Sequence, residues 1–307
     1  MFLYNINGGK LDLIKEVPFA KEIELHKLCE KNLEEIFALK FVKREFSLNN
    51  FRLDTLAFDE ENKCFVIIEY KNTTNFSVVD QGYAYLSLML NNKADFILEY
   101  NENCNSTLKR DDVDWSQSRV IFVSPTFNNY QKESINFKDL PFELWEIKRF
   151  SNNTVYLNPI KASKKAASIK TIATNSNEVD TVNKEVKVYT EEQHLSNSSE
   201  EIVDLYDKIK QYILSLDGNI EIKAKKLEVG FVYNNKIILD ILLQKKAIKI
   251  WLNTKIGTLD DPKKLSRDVS QTGHWGNGDY EIQISNEDNI EYLFSLIKQL
   301  YKLKREK

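Results

Sequence analysis

The feature that most constrains this chain is a pair of neighbouring strand-like runs, FRLDTLAF (residues 51–58) and CFVIIEYK (64–71), joined by the polar stretch DEENK. A run as apolar as FVII belongs inside a sheet, yet each segment carries a carboxylate toward the end remote from the connection. A hairpin is the simplest link between them. If Asp59 pairs with Cys64, then Phe58 faces Phe65, Leu56 faces Ile67, Asp54 faces Glu69 and Arg52 faces Lys71. Side chains alternate along a strand with period two, so Arg52, Asp54, Glu69 and Lys71 all project from one face of the pair.

Two carboxylates opposed across a ladder repel by roughly 0.2–1 kcal/mol when exposed, and by more where water is excluded. Set beside FVII, Asp54 and Glu69 call for a compensating cation. Mg2+ or Mn2+ suits them, because such hard ions are held by one or two carboxylates together with water and substrate phosphate. Lys71, on the same face, would orient or deprotonate an attacking water and offset charge at phosphorus. The chemistry this pattern suits is phosphodiester hydrolysis. The plainer reading is that these charges form the wet side of a hairpin.

The string R-x-D (Arg52 to Asp54), followed after the hairpin by E-x-K (Glu69 to Lys71), resembles the PD-(D/E)XK nuclease superfamily, and within it the NucS-like branch of restriction-like endonucleases. The resemblance covers about residues 20–125. It implies an α/β, restriction-endonuclease-like N-terminal domain with a mixed sheet flanked by helices. It also implies a Mg2+ or Mn2+ cofactor, a nucleic-acid substrate that is DNA in preference to RNA, and a homodimer as one possible working form. In that branch the helix after the hairpin supplies Q-x-x-x-Y, which falls here on Gln81 and Tyr85 in VVDQGYAYL. Four residues apart, they share one helix face, so that Gln81 points to the metal site and Tyr85 packs or contacts a nucleotide. The superfamily's glutamate on the preceding helix falls on Glu30, with Glu34 as the competing choice. The sequence departs from the pattern in lacking a proline before Asp54 and in carrying Tyr70 where many relatives have a small or aliphatic residue. A non-catalytic, nucleic-acid-binding protein that retains the nuclease fold is the alternative.

Residues 161–198, rich in Lys, Ser, Thr, Asn and Glu, offer too little apolar surface to offset their ordering entropy and read as a flexible linker. They separate a nuclease-like domain (1–160) from an accessory domain (199–307). In the first, the apolar period of Glu24 to Leu39 predicts one helix and that of Val78 to Leu90 another, while ADFILEY, RVIFVSP and FELWEIKRF read as further strands. The second is expected to be α+β: a helix from about Glu201 to Leu216, an antiparallel sheet from IEIKAK, GFVYN, KIILDILLQ, AIKIWLN and YEIQIS, and a last helix capped by Asn286 or Asp288. It resembles an uncharacterised domain found behind nuclease-like domains and marked by the loop GHWGNGD (273–279). In that loop His274 and Trp275 are candidates for stacking on a substrate or cradling its phosphate; a tight turn whose Trp plugs the core is the competing reading. Lys263, Lys264 and Arg267 are either a basic patch or ordinary solvated charges.

A net charge of −3 among 307 residues excludes a protein that coats nucleic acid through a global field, so any phosphate contact must come from a local patch. Cys29, Cys64 and Cys104 lack metal-binding or disulfide spacing and read as small apolar residues. His26 and His194 show no partner pattern and read as incidental. No run of apolar residues is long enough for a membrane span, and the start lacks the layout of a secretion signal, which points to the cytoplasm.

Overall fold

The computed structural model describes residues 2–72, 76–137, 139–163, 166–168, 177–272 and 276–306. The chain divides into two compact units, Met1–Val188 and Tyr189–Lys307.

The first unit opens with a two-stranded antiparallel hairpin, β1 (Leu3–Asn7) and β2 (Lys10–Ile14). Its tight turn is made by Gly8 and Gly9, whose φ values of 55° and 81° are open to glycine at no steric cost. Helices α1 (Glu22–Glu30) and α2 (Leu33–Phe37) follow. The single helix expected over 24–39 is thus broken at Lys31 and Asn32, and α2 stops at Ala38 in the left-handed conformation, φ 54°.

Strands β3 (Lys40–Leu48), β4 (Phe51–Asp59) and β5 (Cys64–Tyr70) then run antiparallel to one another. Helices α3 (Val78–Asn91) and α4 (Lys93–Cys104) carry the chain across the sheet to β6 (Arg119–Ser124), which lies parallel to β5. After the short α5 (Asn129–Ser134), β7 (Phe142–Arg149) joins parallel to β6, and β8 (Val155–Ile160) closes the edge antiparallel. The result is a six-stranded mixed sheet in the order β3-β4-β5-β6-β7-β8 with helices on both faces, the architecture expected from the sequence.

Burial on both sides explains the unbroken apolar run of β5, all seven residues of which are inaccessible. Phe58, Phe65, Ile67 and Phe122 pack with Leu86, Met89 and Phe96 of α3 and α4. The alternate residues Val66, Ile68, Ile121 and Val123 pack with Leu25, Cys29 and Leu33 of α1 and α2. ADFILEY, read as a strand, is part of α4. Its Phe96 and Tyr100, four residues apart, fall on one helix face and drop into the core, a period that a short apolar run does not reveal by itself.

The stretch read as a flexible linker also needs correction. Helix α6 (Asn177–Glu185) lies within it and packs on α3. Val182 and Val186 are buried in the same core as α3, and Lys93 pairs with Glu185. Two valines four residues apart give this polar segment the one apolar stripe it needs.

The second unit contains α7 (Glu191–Leu195), α8 (Glu200–Leu216), β9 (Glu221–Ala224), β10 (Val229–Tyr233), β11 (Lys236–Leu243), β12 (Ile248–Leu252), β13 (Arg267–Asp268), β14 (Tyr280–Ile284) and α9 (Ile290–Arg305). Its sheet is antiparallel throughout, in the order β13-β14-β12-β11-β10-β9, and the apolar stripes of α8 and α9 fill one face. The last helix begins after Asn289, one residue beyond the expected caps, and no side chain caps it. Among the described residues no helix is long and apolar enough to cross a membrane.

Within α3, Gly82 is required by packing. A Cβ there would lie 2.6 Å from the Phe142 ring. Gly82→Ala should therefore destabilise the protein by about 1–3 kcal/mol despite alanine's better helix propensity. Gly218→Ala, at a position with nothing within 4 Å, should leave the thermal midpoint nearly unchanged. Calorimetry on the two variants checks both.

Candidate active site

The pairing of β4 with β5 follows the register read from the sequence, from Asp59 opposite Cys64 to Thr55 opposite Ile68. There the two strands part. Glu69 and Tyr70 keep only the β6 pairing that β5 already holds from Val66, opposite Phe122 and Val123, while β4 continues against β3, Leu53 opposite Phe46 and Arg52 opposite Ser47. The fork leaves the Tyr70 N–H without a strand partner on the β4 side. It donates to Asp54 Oδ2 at 3.0 Å, so the aspartate side chain stands in for the missing ladder carbonyl.

Both carboxylates are inaccessible, Asp54 at 8% and Glu69 at 2% exposure. Glu69 Oε1 accepts from Lys71 Nζ at 2.6 Å and from Gln81 Nε2 at 2.9 Å. Gln81 Nε2 also donates to Tyr85 Oη at 2.7 Å, which ties the two α3 residues to each other and to the acid. Glu69 Oε2, by contrast, is buried with no hydrogen-bond partner among the described residues, although the Tyr85 hydroxyl also acts on this carboxylate. A buried charged oxygen without a donor is costly, and its presence asks for a cation.

Burial raises the Asp54 pKa; the Tyr70 N–H, His26 and Lys71 oppose the shift, and Glu22 adds to it. Burial and the neighbouring charge of Asp54 likewise raise Glu69, against the pull of Lys71. Burial works to lower Lys71, but the hydrogen bond and charge of Glu69, with Asp54 and Glu22, outweigh it and leave the pKa raised. In this arrangement the lysine donates to Glu69.

The donor set fits a hard divalent cation bound by two carboxylates and completed by water or phosphate. It does not form a closed cage: among the described residues no three His, Cys, Asp or Glu side chains are gathered as metal ligands.

Asp54, Glu69, Lys71, Gln81 and Tyr85 are brought together as expected, though Tyr85 is 6% exposed and its hydroxyl faces inward, so it positions Gln81 rather than presenting itself to a nucleotide. Glu30 is a correction. Its carboxylate pairs with Arg44 and accepts from Thr55 Oγ1 at 2.7 Å, and Thr55, adjacent to Asp54 in β4, projects to the other face of the sheet. The competing Glu34 is exposed on α2. Arg52 is also corrected: the ladder ends before it, so it does not face Lys71, and its side chain is 64% exposed with Glu45 at 3.9 Å. His274 and Trp275 lie outside the described residues. Of the nearby basic residues, Arg267 pairs with Glu281 at 2.9 Å and Lys263 sits over the Tyr292 ring.

His26, read as incidental, is a residue the sequence did not disclose. It is 6% exposed, packs on Tyr70 with ring centroids 4.4 Å apart, and places Nε2 3.7 Å from Asp54 Oδ2. Glu22, one turn earlier on α1, accepts from the Asn72 N–H at 3.0 Å. The signal was the spacing: Glu22, His26 and Glu30 recur every four residues on one helix stripe.

The first unit is an α/β domain, a mixed sheet flanked by helices with an Asp–Glu–Lys cluster where two central strands part, and the second is an antiparallel α+β domain. Residues 191–304 match the family model of a domain of unknown function (DUF5655). A curated protein of Haemophilus influenzae, recorded as an uncharacterized protein, is 51% identical over 302 residues, covering 98% of this chain and 100% of that one. The chain belongs to the same family.

Among solved structures, an EndoMS–dsDNA2 complex matches 43% of this chain and 47% of its own at 20% identity and a TM-score of 0.27. A repair endonuclease from Pyrococcus abyssi matches 39% of this chain and 45% of its own at 18% identity and 0.23. Pyrococcus furiosus SfsA in complex with Ca2+ matches 52% and 71% at 14% and 0.26. The chain thus spans about half the length of the first two, and likenesses this distant carry no functional weight.

The raised Asp54 pKa has a consequence for stability. A carboxyl held above its ordinary value of 3.8 binds its proton more tightly in the folded state. Its stabilising contribution is present below that value and is lost as pH rises through the folded pKa. In the metal-free protein Asp54→Asn should therefore melt several degrees higher than wild type at pH 7, the gap closing as pH falls below about 4. Equal melting profiles across this range would contradict the assignment.

Proposed function

We propose that the N-terminal unit is a metal-dependent endonuclease that hydrolyses phosphodiester bonds, of DNA in preference to RNA. The observation that carries this reading is the buried pair Asp54 and Glu69 at the strand fork, with Lys71 bonded to one oxygen of Glu69 and the other oxygen left without a hydrogen-bond partner among the described residues. Asp54 and Glu69 are the residues that would hold Mg2+ or Mn2+. When bound, such an ion supplies Lewis-acid polarisation of the scissile phosphate and a template for the attacking water.

The chain's own residues do the rest. Gln81, held by Tyr85, fixes Oε1 of Glu69 and so keeps the carboxylate from turning. Lys71, protonated, directs a hydrogen bond toward the attacking water or a phosphate oxygen and offsets the negative charge that develops there. His26 closes the α1 side of Asp54 and excludes water from it. The C-terminal unit is assigned substrate or partner recognition. The preference for DNA rests on the resemblance to restriction-like endonucleases.

A second reading, a nucleic-acid-binding module that has kept the fold without cleavage, is favoured by one contact. The Lys71–Glu69 ion pair compensates a carboxylate with no metal present.

Purified protein should nick or cut single-stranded, double-stranded or branched DNA with Mn2+ or Mg2+ and be silent in EDTA. Lys71→Ala should lower the rate by about a hundredfold or more. Equal traces of product from wild type and Lys71→Ala would mark contamination and end the nuclease reading. Mn2+ should also raise the melting temperature of wild type but not of Asp54→Asn, in proportion to occupancy. DNA binding that is indifferent to metal would favour the second reading.

A further inference from the structure

With the Tyr85 hydroxyl turned inward, the aromatic left at the surface beside the site is Phe51, the first residue of β4. Leu48 and Phe51 pair across a tight turn made by Asn49 and Asn50, with Asn49 in the left-handed region at φ 53°. Leu53, next but one in the strand, is inaccessible in the core that α3 covers. Strand alternation therefore puts Phe51 on that same face, at its rim. Its ring meets that of Tyr85, with centroids 6.3 Å apart and planes at 80°. Tyr85 in turn bonds Gln81, and its hydroxyl acts on the Glu69 carboxylate. One aromatic ring thus separates Phe51 from Glu69.

In an edge-to-face contact one ring supplies an edge and the other a face. Whichever ring does so here, at least one face of Phe51 is not taken by Tyr85, and the residue is 41% exposed. The surface around it is polar: Ser47, Asn49, Asn50 and Arg52 are all exposed, and no carboxylate occurs from Phe46 to Leu53. Arg52 and Glu45, 3.9 Å apart, are both more than half exposed. An ion pair so open to water contributes little and yields readily to a phosphate.

We propose that Phe51 is the stacking platform for an unpaired base next to the scissile phosphate, with Arg52 beside the phosphate of that nucleotide. The substrate is then a single strand, or a duplex with unpaired nucleotides at the cut. The inference rests on the nuclease reading of the same site and adds the form of nucleic acid that the site accepts. Two arguments select a base as the occupant. A protein partner or a lipid surface calls for several apolar side chains together, whereas Phe51 is a lone ring among amides and a guanidinium. A base needs only one free π face, with a cation near for its phosphate. That the base is unpaired follows from stacking itself, since a base inside a duplex has both faces covered by its neighbours and is reached only by unstacking it. Stacking also adds affinity that surface charge does not have to supply, which suits a chain of net charge −3.

The test uses the full chain with Mn2+ on DNAs of one sequence: a single strand, the intact duplex, and a duplex with an unpaired stretch. Wild type should cut the single strand and the interrupted duplex at least about tenfold faster than the intact one. Phe51→Leu keeps apolar bulk against Tyr85 but removes the π face. It should raise KM for the single strand about tenfold with kcat unchanged, while Phe51→Trp keeps the wild-type KM. In a Lys71→Ala background, where bound strand is cut slowly, 5-iodouracil placed along the single strand should photocrosslink to residue 51, as mapped by mass spectrometry. Equal rates on intact duplex and single strand, a wild-type KM for Phe51→Leu, or crosslinks that avoid residue 51 would each overturn the proposal and leave the nuclease reading standing. A wild type that cuts none of these DNAs would overturn both.

Discussion

The site depends on one hydrogen bond at a fork in the sheet. A strand that leaves its neighbour inside a core exposes backbone groups that must be satisfied or the fold loses stability. Here β5 loses β4 after Ile68 while it stays paired with β6, and the Tyr70 N–H is met by the Asp54 carboxylate. That one contact fixes the aspartate, keeps it out of water, and brings it within the field of Glu69, which is raised in turn. The parallel pairing of β5 with β6 runs unbroken from Val66 to Tyr70, so β5 stays held on one side where it loses β4 on the other.

The second unit shows what a buried carboxylate looks like when it serves structure alone. Asp240 has no exposure, yet it accepts from the Asn277 N–H and Nδ2, each at 2.9 Å, and pairs with Lys225 at 2.9 Å. Lys225 also meets Glu228 at 3.0 Å. That network pins the loop before β14 to the middle of the sheet, and it leaves Asp240 Oδ1 with the Lys225 ion pair but no hydrogen bond. Glu69 has one oxygen served twice and the other by no hydrogen bond among the described residues.

The hairpin register was legible in the sequence because a short polar connection and period-two alternation leave few pairings open, and the observed partners from Asp59–Cys64 to Thr55–Ile68 are those expected. Gln81 and Tyr85 were legible for a similar reason, since a helix fixes which residues share a face. The fork was not. It depends on where β4 turns away from β5, which local pattern does not disclose; the ladder ends at Thr55–Ile68, so the expected pairings of Asp54 with Glu69 and of Arg52 with Lys71 are both absent from it. Glu30 failed because, one turn beyond His26 on α1, its carboxylate is taken up by Arg44 and Thr55. ADFILEY and the segment around Val182 misled because few apolar residues in a polar context leave the period undecided.

Charge at the fork also reconciles an acidic protein with a polyanionic substrate. With a net charge of −3 the chain has no field that would draw in nucleic acid. Asp54, Glu69 and Lys71 together carry one negative charge when all are ionised, so the metal-free site repels a phosphate. Occupancy by a divalent cation reverses that sign, at a point where burial makes the change count far more than the same charge would at the surface. Under the nuclease reading, affinity for the scissile phosphate is therefore created by the same event that readies the site for hydrolysis. Little binding is then expected in its absence, and a broad basic surface becomes unnecessary. An arrangement of this kind would hold the protein off nucleic acid by default and confine attraction to one position, which a uniformly basic face is unable to do.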